Sequence, residues 1–326
     1  MRKILVLLVF ATLAVALAVT GCMDKAEVGS GGGAGNVSGD EVMTKAFDAF
    51  KSVNSAAYTG DIELKVTIDQ SKTSPDPQTA ALAKGPITIH LEGALDREQE
   101  TSTATVKVSA AGQTIEGGLT GTKDGVWVQL MGQWYQAPAD QVANLRKFTQ
   151  QTPDEMLKTL GMDPQSWATE RTVVGTEQID GAECYHVVVK DDPKKIAESL
   201  VNGLNSLQSQ GVGTGQTGEQ IGAQLQSQSA ELATMLGDVG AEYWIDVKQG
   251  YVRKGVLTAK INPTSTMQSQ GVQSADVKIT FGFSKFNEPV NVTPPATSLP
   301  WDQLGQGLFG GGLGGATPQP SDTIQY

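Results

Sequence analysis

Cys184 and His186 are the side chains in this sequence best placed for chemistry. They stand two apart in Ala182 to Lys190, a run that alternates like a strand, so both share one face with Val188, opposite Tyr185, Val187 and Val189. Such a pair could act as nucleophile and base or supply two ligands to a metal. The sequence shows no second cysteine beside them and no nearby carboxylate to orient the imidazole, so neither chemistry is expected. The other histidine, His90, lies about a hundred residues away on the polar parity of its own strand and reads as solvated. Asp191-Asp192 precedes Pro193 without the spacing of a calcium loop, and a helix-capping role fits it better. No G-x-S-x-G, H-E-x-x-H, P-loop or dinucleotide-binding glycine pattern is present. The residues point to no catalytic set, no metal site and no cofactor.

The remaining cysteine, Cys22, sits in a different context. Arg2 and Lys3 precede an apolar run from Ile4 to Val19, and Val19-Thr20-Gly21 brings small residues directly before Cys22. This is the pattern of a secretory signal, and the run is shorter than the roughly 20 residues a spanning helix needs. Val-Thr-Gly-Cys resembles the lipobox of bacterial lipoproteins. The resemblance implies cleavage between Gly21 and Cys22, attachment of lipid to the Cys22 thiol, and a mature chain held outside the cytoplasm on the cell membrane. Two or three acyl chains on Cys22 would anchor it stably. Cys184 is then left alone, so no intramolecular disulfide is expected.

The formal net charge is −11, and loss of Arg2 and Lys3 with the signal takes it two units lower, to −13. An acidic exterior argues against nucleic acid as a partner. Residues 1–21 are the expected signal peptide and 22–39 a Gly/Ser-rich flexible tether with a reach of about 23 Å. Residues 40–295 form one expected domain, and 296–326 a Gly/Pro-rich disordered tail.

Within 40–295 the pattern predicts a helix from Asp40 to Val53 with Val42, Ala46, Phe47 and Phe50 on one face. Alternating strands follow, joined by short turns at Gly112, Asp124-Gly125, Gly132 and Asp180-Gly181. Helices are expected at 138–151, 153–160, 193–207 and 219–236, the last striped by Ile221, Leu225, Leu232 and Leu236. The result is an α+β domain. Its single curved antiparallel sheet, a half-barrel of about eleven strands, has helices packed on the concave face.

Parity assigns Ile62, Leu64, Val66, Ile89, Leu91, Val106, Val108, Val128, Ile245, Leu257, Ile279 and Phe281 to that concave face. Which of them would touch a ligand and which a helix stays open. Trp127, Trp134, Trp167, Trp244 and Trp301 read mainly as core, with Trp127 at a rim or on the outer face because Gln129 shares its parity.

The lipobox, followed by GVWVQLMGQWYQAP (125–138), TVVGTEQIDGAECYHVVV (172–189), AEYWIDVKQGYVRKGVLT (241–258) and ITFGFSKFNEPVNVTPP (279–295), resembles the LppX/LprG family of actinobacterial lipoproteins. That resemblance implies a half-barrel like that of the LolA/LolB carriers, with an apolar cavity for the acyl chains of a lipid or glycolipid. It also implies carriage toward the cell envelope with a transport partner there, and no enzymatic step. The other reading is an envelope scaffold whose core is closed by its own helices and which binds a protein partner.

Overall fold

The computed structural model describes residues 37–69, 71, 85–139, 142, 166–199, 202, 234–269 and 271–303. The signal segment, Gly21, Cys22 and most of the tether lie outside them, as do most of the expected helices between 140 and 233 and the tail beyond 303. Among the described residues no helix is long and apolar enough to cross a membrane.

Helix α1 (Gly39–Lys51) starts where a capping box dictates. Ser38 accepts from the backbone of the first turn, and the Glu41 carboxylate accepts from the Ser38 N–H at 3.3 Å. Asp40 and Glu41 in the first turn and Lys51 in the last oppose the helix dipole. Its buried stripe is Gly39, Val42, Met43 and Ala46.

The sheet follows in chain order: β1 (Ser55–Ile68), β2 (Ile87–Asp96), β3 (Thr101–Ala110), β4 (Gln113–Thr122), β5 (Gly125–Leu130), β6 (Gln133–Gln136), β7 (Ala168–Ile179), β8 (Ala182–Asp191), β9 (Leu236–Asp246), β10 (Val252–Ile261) and β11 (Val272–Ser284). A short helix, α2 (Ser265–Ser269), lies between β10 and β11, and a two-residue strand, β12 (Leu299–Pro300), follows β11. The twelve strands among the described residues form one open, curved sheet ordered β12-β6-β5-β4-β3-β2-β1-β11-β10-β9-β8-β7. Two local meanders, β1 to β6 and β7 to β11, therefore meet at a central seam where β1 pairs antiparallel with β11, Ile62 opposite Ile279.

The expected eleven antiparallel strands are present, and β12 makes the sheet mixed. It pairs parallel with β6, Leu299 opposite Tyr135. The tail expected from 296 thus begins as part of the sheet edge. The segment leading to it crosses the strand ends. Asn287 N–H donates to the Ser55 carbonyl, the Asn54 N–H to Asn287 Oδ1, and the Thr101 hydroxyl to the Val290 carbonyl. Trp301 then packs against Val126, Ala137 and Val142. Leu236, placed by its spacing on a helix stripe, is instead the first residue of β9 and packs with Leu64, Ile87 and Ile261.

Residues 193–199 are helical. Asp192 caps this helix, its Oδ1 accepting from the Lys194 N–H at 2.9 Å, so the capping role expected for the acidic pair belongs to Asp192. Asp191 behaves differently: burial pushes its carboxyl up to about 6, against the pull of Arg171. A carboxyl raised above its unfolded value binds its proton more tightly when folded. The contribution of Asp191 to stability therefore declines as pH rises from about 4 to 6 and stays lower above. Asp191→Asn is expected to gain about 2 kcal/mol at pH 7.5 and little at pH 4, read from urea midpoints at the two pH values. An equal gain at both would show that the charge is not responsible.

Candidate functional site

Register carries the twelve candidate residues onto one face of the sheet. Ile62 stands opposite Ile89 and Ile279; Ile89 opposite Val108; Ile279 opposite Leu257. One step along, Gly60 stands opposite Leu91 and Phe281, and Leu91 opposite Val106. Alternation within each strand places Leu64, Val66, Val128 and Ile245 on the same side. This face also receives α1.

The candidates separate by packing. Ile62, Ile89, Ile279 and Phe281 are buried in a central cluster with Phe283, and Leu91, Val106, Val108 and Leu257 sit half-buried at its margin. Leu64 belongs to a second cluster with Val66 beside it. Ile245 is fully buried with Val42, Met43 and Ala46 of α1, so it is core beneath the helix. Val128 is half-buried toward the β4–β6 side.

Two aromatic residues of this face, Tyr58 and Tyr243, stand outside the twelve candidates. Tyr58 lies two steps from Gly60, which interrupts the apolar alternation, and its hydroxyl donates to the Thr103 carbonyl at 3.3 Å. Burial raises its phenol pKa. Tyr243 meets Phe281 edge-on with ring centroids 6.3 Å apart. Its alternation with Ile245 was the available signal.

The opposite face is polar. His90 lies on it as expected, half-exposed, with Nδ1 2.7 Å from Asp61 Oδ1. His186 lies on it too, but the expectation that no carboxylate orients it is wrong. Its Nδ1 is 2.9 Å from Glu177 Oε1 on β7, and its Nε2 is 2.8 Å from Glu242 Oε2 on β9. The ring stacks on Trp244 at 4.4 Å, and Lys254 lies over the Trp244 ring. The Trp244 N–H, which donates to Glu177 at 2.9 Å, holds the Glu177 carboxyl below the ordinary range. His186 and Lys254 assist against a partial desolvation.

This constellation positions a histidine, yet it supplies no nucleophile. Cys184 is wholly buried, and desolvation, with the nearby Asp246 charge second, pushes its thiol up to about 11. A thiol so raised is not the attacking thiolate that catalysis needs. Among the described residues no group of three or more His, Cys, Asp or Glu is placed to hold a metal ion. Trp127 falls on the outer parity as expected, though buried instead of rim-exposed, its ring folded over Gly125.

In sequence, residues 38–163 match a family of unknown function, DUF6612, a stretch that takes in α1 and β1 to β6 and less than half of the chain. No curated protein matches. Among solved structures, the lipoprotein LppX of Mycobacterium tuberculosis aligns with a TM-score of 0.35 and 15% identity, covering 77% of this chain and 96% of that one. LprF of Mycobacterium bovis aligns with a TM-score of 0.38 and 11% identity, covering 79% and 97%. A DUF1329 protein of Desulfovibrio piger aligns with a TM-score of 0.21 and 7% identity, covering 78% and 93%. At these scores the architecture rests on the strand order and register above, and the function on the residues of this chain.

Proposed function

We propose that this chain is an extracytoplasmic lipoprotein, anchored to the cell membrane through Cys22, that binds and carries the acyl chains of a lipid or glycolipid on the apolar face of its sheet without chemistry. The observation that carries the reading is the gathering of apolar side chains from β1, β2, β3, β5, β9, β10 and β11 on one face, with Val66, Leu91, Val106, Val108, Val128 and Leu257 only half-buried. Acyl chains need apolar walls of this kind, and each methylene taken from water contributes about 0.8 kcal/mol. The signal pattern ending at Gly21-Cys22 supports the anchored placement.

Native mass spectrometry of the exported Cys22→Ser chain, followed by organic extraction, tests this. Bound species with phospholipid or diacylglycerol masses are expected, and Val108→Trp, which fills the half-buried margin, should lose them. A clean apo mass with an empty extract would sink the carrier reading. It would favour the envelope scaffold, whose sheet is closed by its own helices.

A further inference from the structure

Glycine within a strand has few explanations: a bulge, a bend, or the close approach of something that a side chain would exclude. On the apolar face, three strand glycines give their room to this protein's own side chains. A Cβ on Gly93 would meet the Thr103 carbonyl and the Tyr58 hydroxyl, one on Gly121 the Ser102 hydroxyl, and one on Gly255 the Phe281 ring.

Gly117 of β4 is different. It lies on the same face, opposite Val106 on β3 and Leu130 on β5. A Cβ there would come within 3.2 Å of the Gln129 main-chain carbonyl and, among the described residues, within 4 Å of nothing else. Its φ is not positive, so the backbone does not demand glycine. Both pairings include it without a shift in register, which excludes a bulge. The next residue, Gly118, faces the polar side and has a reason of its own: a Cβ on it would meet the Gln129 side chain and, at 3.4 Å, the Trp134 ring.

The surroundings of Gly117 are apolar and unsealed. Val106, Leu119 and Leu130 are half-buried, and Ile115, two residues along β4, is 53% exposed, whereas Ile62 and Ile89 nearer the seam are buried. The chain therefore closes the centre of the face but not this part of it. What fits above the glycine is narrow and has no polar group. A helix is about 10 Å across, too wide for a gap of one residue. A peptide in any form would also bring amides that these side chains cannot satisfy. An unbranched run of methylenes meets both conditions.

From these observations we infer that Gly117 is a specificity-determining residue of the carrier: it forms the floor of an acyl-chain subsite framed by Val106, Leu130, Ile115 and Leu119. This deepens the carrier reading and rests on it. A valine at 117 takes the room of about two methylenes of the ligand, which corresponds to a loss of about tenfold in affinity.

The test is a titration of the Cys22→Ser chain, stripped of copurified lipid, with cis-parinaric acid, a fatty acid whose fluorescence rises on leaving water. Gly117→Val is expected to bind about tenfold more weakly than its parent. Gly118→Val, the same change one residue along and on the polar face, is expected to bind as the parent does. Urea midpoints accompany the titration. Gly117→Ala, which adds a single methyl group, is expected to weaken binding about fourfold and serves where the valine variant does not fold. Parent affinity in the folded variant at 117 overturns the subsite and leaves the carrier standing. An equal loss at 117 and 118 also overturns it, because both glycines would then serve the bend of the strand. No binding by the parent rejects the carrier and the subsite with it.

Discussion

Gly255→Ala is expected to destabilise the protein by about 3 kcal/mol, a large effect for one added methyl group. Gly255 pairs with Phe281 on one side and Tyr243 on the other. The Phe281 ring lies directly over it, so a Cβ on residue 255 would fall 2.1 Å from Phe281 Cζ and 2.5 Å from Cε1. The ring has no free direction, because Tyr243 and Phe283 meet it edge-on with centroids 6.3 and 5.8 Å away. Phe281→Ala alone is expected to cost about 3–5 kcal/mol through the cavity it leaves. The pair must then be non-additive: in the Phe281→Ala background the added methyl has room, and a double-mutant cycle by urea denaturation should show about 2 kcal/mol of coupling. Additive costs would mean that the ring is not what excludes a side chain at 255.

Arg253→Met is expected to cost about 3–5 kcal/mol at neutral pH, because it strands a buried carboxylate. The Asp246 side chain is only 6% exposed. Its Oδ1 accepts from the Lys248 and Gln249 N–H groups at 2.9 Å each, and its Oδ2 accepts from Arg253 Nε at 3.2 Å and Nη2 at 2.8 Å. Desolvation pushes the Asp246 pKa up, but the Gln249 and Lys248 amides and the Arg253 guanidinium outweigh it, so the carboxyl lies below its ordinary value. A depressed carboxyl contributes stability above the unfolded value near 4, and that contribution is lost as pH falls through the folded value. The gap between wild type and Arg253→Met should therefore be widest at pH 7 and narrow toward pH 3. Adding Asp246→Asn should restore part of the loss at pH 7. An undiminished gap at pH 3 would assign the cost to the packing of the arginine stem.

The sequence spoke clearly where the information is local. Ile62, Leu64 and Val66 alternate with Glu63 and Lys65, and period two alone places them on one face with one strand's worth of evidence. The Asp180-Gly181 hairpin and the Asp192 cap follow in the same way from residues within reach of each other. What could not be read is pairing at a distance. Nothing in β1 names β11 as its neighbour, because a strand's hydrogen-bonding edge is the same for every partner of suitable twist. For the same reason Glu242 escaped notice, since it reaches His186 only because β9 lies beside β8, fifty-six positions along the chain; Glu177, nine positions away across the Asp180-Gly181 hairpin, was within local reach and was overlooked. Trp301 was obscured by composition. β12 is two residues long and contains proline, too short to show any period, and only the register with Tyr135 and Gln136 reveals it.

The seam between β1 and β11 governs how this sheet can be assembled. Each meander grows from hairpins of neighbouring strands, but the seam joins segments some two hundred residues apart, the kind of pairing that slows folding most. At synthesis rates of about 5–20 residues per second, β1 waits roughly ten to forty seconds for its partner. For that interval it presents a fourteen-residue open edge, a template for wrong pairing. Its outward residues Asp61, Glu63 and Lys65 put charge along that edge during the wait. A chain truncated anywhere before Val272 lacks the strand that joins its halves, so completion of this fold is reserved for the finished polypeptide.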